Sequence, residues 1–167
     1  LDYPGGPKIE AHAALSKARG TEHGIVFPRP LAHVDTCDFS FSGLKTAVLY
    51  KLKTMPELTQ ESKEHVAEAF QDAARDVLVM KTRRALDLTG EQTLAVGGGV
   101  SASKEIRRAL EHMVASDYPN VHVAYPTGAL HLDNAIMIGM AAYLRHTAGL
   151  TSTTELLARG GQSLIDL

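Results

Sequence analysis

A glycine-rich loop is the first part of the sequence whose residue types could do chemistry. Residues 97–103 read Gly-Gly-Gly-Val-Ser-Ala-Ser, after a short apolar run and before a helical pattern. Glycines let a ligand approach the backbone, and a helix N-terminus at the end of a strand offers free N–H groups to an anion. The same residues also fit an ordinary turn in which Ser101 or Ser103 is a helix N-cap. The spacing is not GxGxxG, which argues against a dinucleotide site.

A carboxylate stands at a second junction between a strand pattern and a helix pattern. Asp133 follows His131 and Leu132 and precedes Asn134. Its oxygen atoms suit a hard metal ion, but taken alone the residue is more simply explained as a helix N-cap. His131 has no second ligand at a recognised spacing, so it does not predict a metal site by itself.

Three other groups of polar residues favour ordinary structural roles. Residues 42–46 read Ser-Gly-Leu-Lys-Thr but lack the upstream glycine and the Gly-Lys pair of a phosphate-binding P-loop. Two basic clusters could contact RNA phosphates, although such clusters are usually solvated helix faces. Their members are Lys81, Arg83 and Arg84 in one cluster, and Lys104, Arg107 and Arg108 in the other.

Composition sets limits on the partners. The chain has 167 residues, 44% of them hydrophobic, and a net charge of -2, which indicates one globular domain without an overall basic field. A nucleic acid must therefore meet a local patch. Cys37 is the only cysteine, which favours a reducing compartment, and no apolar run approaches the length of a membrane span. We therefore expect a cytoplasmic protein without a membrane partner, with mitochondria as the alternative compartment.

Hydrophobic periodicity predicts an α/β fold with parallel strands joined by crossover helices. The predicted helices cover residues 8–19, 43–53, 61–88, 103–113 and 133–145, with a weaker helical tail over 151–167. The predicted strands cover residues 38–41, 93–96 and 121–125.

Five blocks of sequence, in this order, resemble the threonylcarbamoyladenosine transferases of transfer RNA, a family long mislabelled as glycoproteases or O-sialoglycoprotein endopeptidases. The resemblance extends from Leu1 to about Ala142, and its third block alone is highly specific. The blocks are Tyr3-Pro4-Gly5-Gly6-Pro7, Phe27-Pro28-Arg29-Pro30, Asp38-Phe39-Ser40-Phe41-Ser42-Gly43-Leu44-Lys45-Thr46-Ala47-Val48, Gly98-Gly99-Val100-Ser101-Ala102 and Asp133-Asn134-Ala135-Ile136-Met137-Ile138.

The resemblance implies the two-lobed fold of actin, Hsp70 and the sugar kinases, which is built on an RNase H-like unit. Residues 1–132 would form most of the second lobe. Residues 133–167 would form a C-terminal helical segment that packs on a first lobe not contained in this sequence.

The resemblance also implies the chemistry of the whole protein. It would transfer threonylcarbamoyl from the ATP-derived threonylcarbamoyl-adenylate to adenosine 37 of tRNA, with iron or zinc as a Lewis acid. Gly6, Gly98 and Gly99 would contact the adenylate, and Asp133 would bind the metal ion. The family's metal-binding histidine pair and phosphate loop are not in this sequence, so this segment alone should be inactive. The residue that accepts the amine proton is not identified.

Two departures from the family pattern leave a second function open. Ser103 stands where the family has a substrate-binding asparagine, and His131-Leu132 replaces a cysteine followed by serine or threonine. The alternative is a non-catalytic paralogue that serves as an assembly or dimerisation module. Expected partners are tRNA, accessory subunits of a threonylcarbamoyl-transfer complex and, because the last helix is apolar nearly all round, a second copy of the chain.

Overall fold

The computed structural model describes residues 1–150, and within them the chain is an α/β protein with five α-helices and one small parallel sheet. The helices are α1 (Gly5–Arg19), α2 (Phe41–Thr54), α3 (Gln60–Thr89), α4 (Lys104–Asp117) and α5 (Ala135–Thr147). The strands are β1 (Thr93–Ala95) and β2 (His122–Ala124). Two 3-10 turns, Gly99–Ala102 and Gly128–His131, follow the two strands.

The predicted strand–helix–strand unit is confirmed. β1 and β2 pair in parallel, with Leu94 opposite Val123, and α4 makes the crossover between them. Because a parallel pair needs such a crossover, the apolar side of α4 lies against the sheet and the end of α3. The buried residues of this core are Leu86, Ile106, Leu110, Met113 and Val114.

The long helix α3 connects this unit to the rest of the fold. It begins at the N-cap Thr59, whose side chain accepts from the Ser62 N–H, and it ends at Gly90 in the left-handed conformation. Its small residues Ala69 and Ala73 are buried and let other segments approach closely. The second core forms there, from Phe27, Leu44, Val66, Ala69 and Ala73.

The predicted strand over residues 38–41 is wrong. Residues 38–40 have no regular structure, and Phe41 already begins α2. The alternation of Phe39 and Phe41 resembles a half-buried strand, but both rings are exposed and no neighbouring strand pairs with this segment within residues 1–150. Alternation without a partner strand therefore does not produce a sheet here.

The segment before α2 is held by a buried lysine. Lys81 on α3 is 2% exposed, and its ammonium group donates to the carbonyl oxygens of Val34 at 2.8 Å and Thr36 at 2.6 Å. The sequence pattern placed Lys81 in a basic cluster that could contact RNA phosphates. In the structure its ammonium group is buried and binds these two carbonyl groups instead. Beside it, Arg84 donates to the Asp35 side chain at 2.9 Å.

The chain divides into two compact units, Leu1–His131 and Leu132–Leu167. Strands β1 and β2 and helices α1 to α4 belong to the first unit, and α5 belongs to the second. No helix of residues 1–150 is long and apolar enough to cross a membrane. The helical tail that the sequence predicts over 151–167 lies outside the described residues.

Candidate adenylate-binding loop

The glycine-rich loop begins at the carboxyl end of β1, where the sequence predicts a ligand site. The Val96 N–H still bonds to the Ala124 carbonyl at 2.9 Å, and the chain then leaves the sheet. Gly98 has φ 83° and ψ 169°, a conformation that is essentially restricted to glycine. Gly97, Gly98 and Gly99 are all exposed, so a ligand could reach their backbone.

The start of α4 does not offer the free N–H groups that the sequence predicts. The Ser103 hydroxyl accepts from the Ile106 N–H at 3.4 Å, which makes Ser103 the N-cap. One carboxylate oxygen of Glu10, on α1, accepts from the N–H groups of Lys104 at 3.0 Å and Glu105 at 3.3 Å. Of the two alternatives that the sequence left open here, the N-cap is confirmed for Ser103, and a carboxylate of the protein occupies the positive end of the helix. The exposed glycine backbone before the helix remains open to a ligand.

The Glu10 contact joins α1, which contains Gly6, to the start of α4, which follows the glycine-rich loop. Gly6 lies in the first turn of α1, one helical turn before Glu10. The N-terminus of α1 is also earlier than predicted, at Gly5. Pro7 is compatible with that start because the first N–H groups of a helix have no partner within it.

Charged side chains strengthen the junction between α1, α3 and α4. Lys17 on α1 lies 3.0 Å from Glu105 on α4 and 3.2 Å from Asp72 on α3, and Arg75 lies 3.1 Å from Glu105. The Lys17 hydrogen bond holds the pKa of Glu105 below its usual value, against the opposing effect of burial. The ion pairs of Glu105 therefore stabilise the fold fully at pH values above the ordinary glutamate pKa. This stabilisation is lost as the pH falls through the lowered pKa of Glu105.

Arg107 fixes the other side of the loop. Its Nε donates to the Ser101 carbonyl, and its guanidinium lies 4.5 Å from the centre of the Tyr125 ring, just after β2. The Tyr125 hydroxyl in turn donates to the Arg107 carbonyl at 3.4 Å, and burial raises the pKa of Tyr125. The sequence placed Arg107 among possible RNA contacts, whereas the structure gives it the role of joining the loop to the end of β2.

The two 3-10 turns contact each other at the carboxyl ends of the parallel strands. Ser101 in the first turn is 2% exposed. Its hydroxyl and the Nδ1 atom of His131, in the second turn, are buried and have no hydrogen-bond partner among the described residues. Buried polar groups are normally paired, so both atoms are exceptions at this end of the sheet.

Asp133 lies in the second unit and is exposed. It is not the N-cap of α5, because the side-chain oxygen of Asn134 accepts from the Met137 N–H at 3.0 Å. The Asp133 carboxylate is thus left available for another role. It can provide an oxygen ligand to a metal ion, but residues 1–150 contain no group of three or more His, Cys, Asp or Glu side chains that could hold one.

Sequence comparison decides the family. A family model described as tRNA N6-adenosine threonylcarbamoyltransferase matches residues 1–140. The chain belongs to the tRNA N6-adenosine threonylcarbamoyltransferase family. Gly6, Gly98, Gly99, Ser103 and Asp133 lie within the matched range.

Curated members of the family with this name are similar over most of the chain. The protein of Paraburkholderia xenovorans is 42% identical over 147 residues, which cover 87% of this chain and 41% of the relative. The protein of Burkholderia cenocepacia is 43% identical over 151 residues, or 87% of this chain and 42% of the relative. The chain therefore spans about two-fifths of the length of these threonylcarbamoyltransferases.

Proposed function

We propose that this chain is the part of a tRNA threonylcarbamoyltransferase that supplies one wall of the adenylate site. The full-length protein would transfer threonylcarbamoyl from threonylcarbamoyl-adenylate to the exocyclic amine of adenosine 37 of tRNA, with release of AMP. The observation that carries the proposal is the pair of hydrogen bonds that Glu10 accepts from the backbone N–H groups at the start of α4. These bonds join α1, the helix that bears Gly6, to α4, the helix that follows the loop with Gly98 and Gly99.

This wall suits a nucleotide because of its backbone. Gly98 and Gly99 are exposed and carry no side chain, so the adenosine part could lie directly against the peptide groups. The Glu10, Lys17 and Arg107 contacts hold both sides of the loop, and such preorganisation lowers the free-energy cost of binding. In the two-lobed fold, residues 1–132 would belong to the second lobe, and α5 would pack on the first.

A divalent metal ion, iron or zinc, is part of the proposal for the full-length protein. Asp133 would provide one oxygen ligand, and the remaining ligands would come from outside the described residues. Such an ion would supply Lewis-acid chemistry for a carbonyl group. The role of this chain is to present the carboxylate.

The competing proposal is a non-catalytic paralogue that keeps the fold for assembly. Ser103 and His131-Leu132, which depart from the family pattern, favour it. The metal content of the full-length protein separates the two, because an assembly module needs no ion. For the catalytic proposal the partners are tRNA and the accessory subunits of a transfer complex, in the cytoplasm or in mitochondria.

Ser103 provides the test of adenylate binding. In the full-length protein, Ser103→Asn is expected to tighten the binding of a stable adenylate analogue by about 0.5–1.5 kcal/mol, one additional hydrogen bond. Asparagine is as good an N-cap as serine, so α4 should not lose stability. Isothermal titration calorimetry measures the change.

Ser103→Asp is the matched control, because aspartate has nearly the shape of asparagine and also caps helices. The aspartate lacks the amide donor and would repel the phosphate group. The affinity of the Ser103→Asp variant for the adenylate analogue should therefore fall below that of the wild type. Equal affinities for all three proteins would show that Ser103 is only a helix cap. No binding of the analogue by any of them would favour the assembly module.

A further inference from the structure

The outer side of α2 combines aromatic rings with lysines. Phe41, Lys45, Leu49 and Lys53 are spaced by four residues, so they follow one stripe along the helix. All four are exposed, whereas Leu44 of the same helix is completely buried in the core. Tyr50, 63% exposed, lies next to the stripe. We call these residues, together with Phe39, the aromatic–lysine face.

Two phenyl rings form a stacked pair at the start of this face. The centres of the Phe39 and Phe41 rings are 5.9 Å apart, with an angle of 10° between the ring planes. Phe39 is 46% exposed and Phe41 is 38% exposed. Nearly parallel rings that remain open to solvent can accept a further flat ring, and the unpaired bases of RNA bind proteins in this way.

The charge of this segment is suited to a phosphate backbone. Residues 39–56 contain three lysines and no aspartate or glutamate, although the chain as a whole has a net charge of -2. In the part of the chain that the structure describes, Lys45 and Lys53 are in no ion pair. By contrast, Arg83 and Arg84 of the first basic cluster are paired with Asp117 and Asp35. The positive charge of α2 is therefore available to a partner.

We infer that the aromatic–lysine face binds the unpaired loop of the RNA substrate, with a base stacked on the Phe39–Phe41 pair and phosphates near Lys45 and Lys53. The inference rests on the proposed function, which brings an anticodon loop to this protein. A protein partner is less well matched, because the cores of protein interfaces are depleted of lysine. The two basic clusters that the sequence offered as RNA contacts are largely engaged within the fold.

The test measures binding of a fluorescent anticodon stem-loop RNA to the full-length protein by anisotropy. In Phe39→Leu/Phe41→Leu the side chains stay apolar but lose their aromatic faces, so the RNA should bind about tenfold more weakly or worse. Lys45→Ala/Lys53→Ala should weaken binding and reduce the slope of log affinity against log salt by about 1.4, for two lost phosphate contacts. Lys63→Ala, at an exposed lysine on α3, is the charge control. It should change neither the affinity for the RNA nor the salt slope.

Adenylate affinity and the urea midpoint are measured for every variant and should equal the wild-type values. Wild-type RNA affinity in both double variants would overturn the inference while the proposed function stands. Loss of RNA binding in Lys45→Ala/Lys53→Ala alone would overturn the stacking on Phe39 and Phe41. A wild-type protein that binds the adenylate but not the stem-loop would overturn the inference together with the proposed tRNA substrate.

Discussion

Gly98→Ala in the full-length protein is expected to lower kcat/KM for threonylcarbamoyl transfer by about a hundredfold or more. The left-handed φ of 83° with ψ 169° costs a residue with a side chain about 1–3 kcal/mol, so the loop would relax to another backbone path. A displacement of about 1 Å at a substrate-positioning element can cost roughly a hundredfold in rate. Steady-state kinetics with unmodified tRNA measure the change.

Gly97→Ala is the matched control on the same loop. Gly97 does not have a positive φ, and a methyl group added there would meet no atom within 4 Å. We expect its kcat/KM to stay within about threefold of the wild type, since no strain is introduced. If the two alanine variants have equal activities, the backbone at Gly98 does not position the substrate.

The isolated 167-residue chain is expected to form a dimer through α5, or to rearrange so that α5 is covered. Helix α5 has no buried residue, and its apolar side chains are exposed by half or more. A solvent-exposed apolar surface of this kind favours association. If the chain dimerises, Met137→Lys/Met140→Lys should yield a monomer. The dissociation constant of the dimer should rise at least about tenfold, because two apolar side chains at the interface are replaced by charged ones.

Light scattering and hydrogen exchange distinguish the outcomes for α5. Leu88→Lys, at a residue 65% exposed near the end of α3, is the control and should leave the dimer intact. A monomeric unmodified chain with strong protection of residues 135–144 would leave only the rearranged helix. A monomeric chain in which these amides exchange rapidly would contradict both possibilities.

Local pattern was sufficient for the elements whose stability comes from nearby residues. The repeated apolar positions around Val66, Ala73 and Val77 predicted α3 to within a residue at each end, because they lie on one buried side of the helix. The short apolar runs around Leu94 and Val123 predicted both strands and their parallel pairing. The family match depends on the same kind of local signal.

Contacts between residues far apart in the chain could not be predicted from the sequence. Glu10 caps a helix that begins 94 residues later, and nothing in its own neighbourhood indicates that contact. Arg107 was grouped with exposed cations because charge patterns do not show which side of a helix meets a carbonyl or a ring. The junction after β2 was predicted with Asp133 as its simplest cap, but the next residue, Asn134, caps the helix.

The transfer reaction itself tests the proposed function of the full-length protein. The full-length protein, with its accessory subunits, is incubated with threonylcarbamoyl-adenylate and unmodified tRNA, and the digested nucleosides are analysed by mass spectrometry. We expect threonylcarbamoyladenosine at position 37 and an equal amount of AMP, both strongly reduced by Gly98→Ala. Unmodified adenosine 37 in the presence of a protein that is folded and assembled with its subunits would contradict it and favour the non-catalytic paralogue.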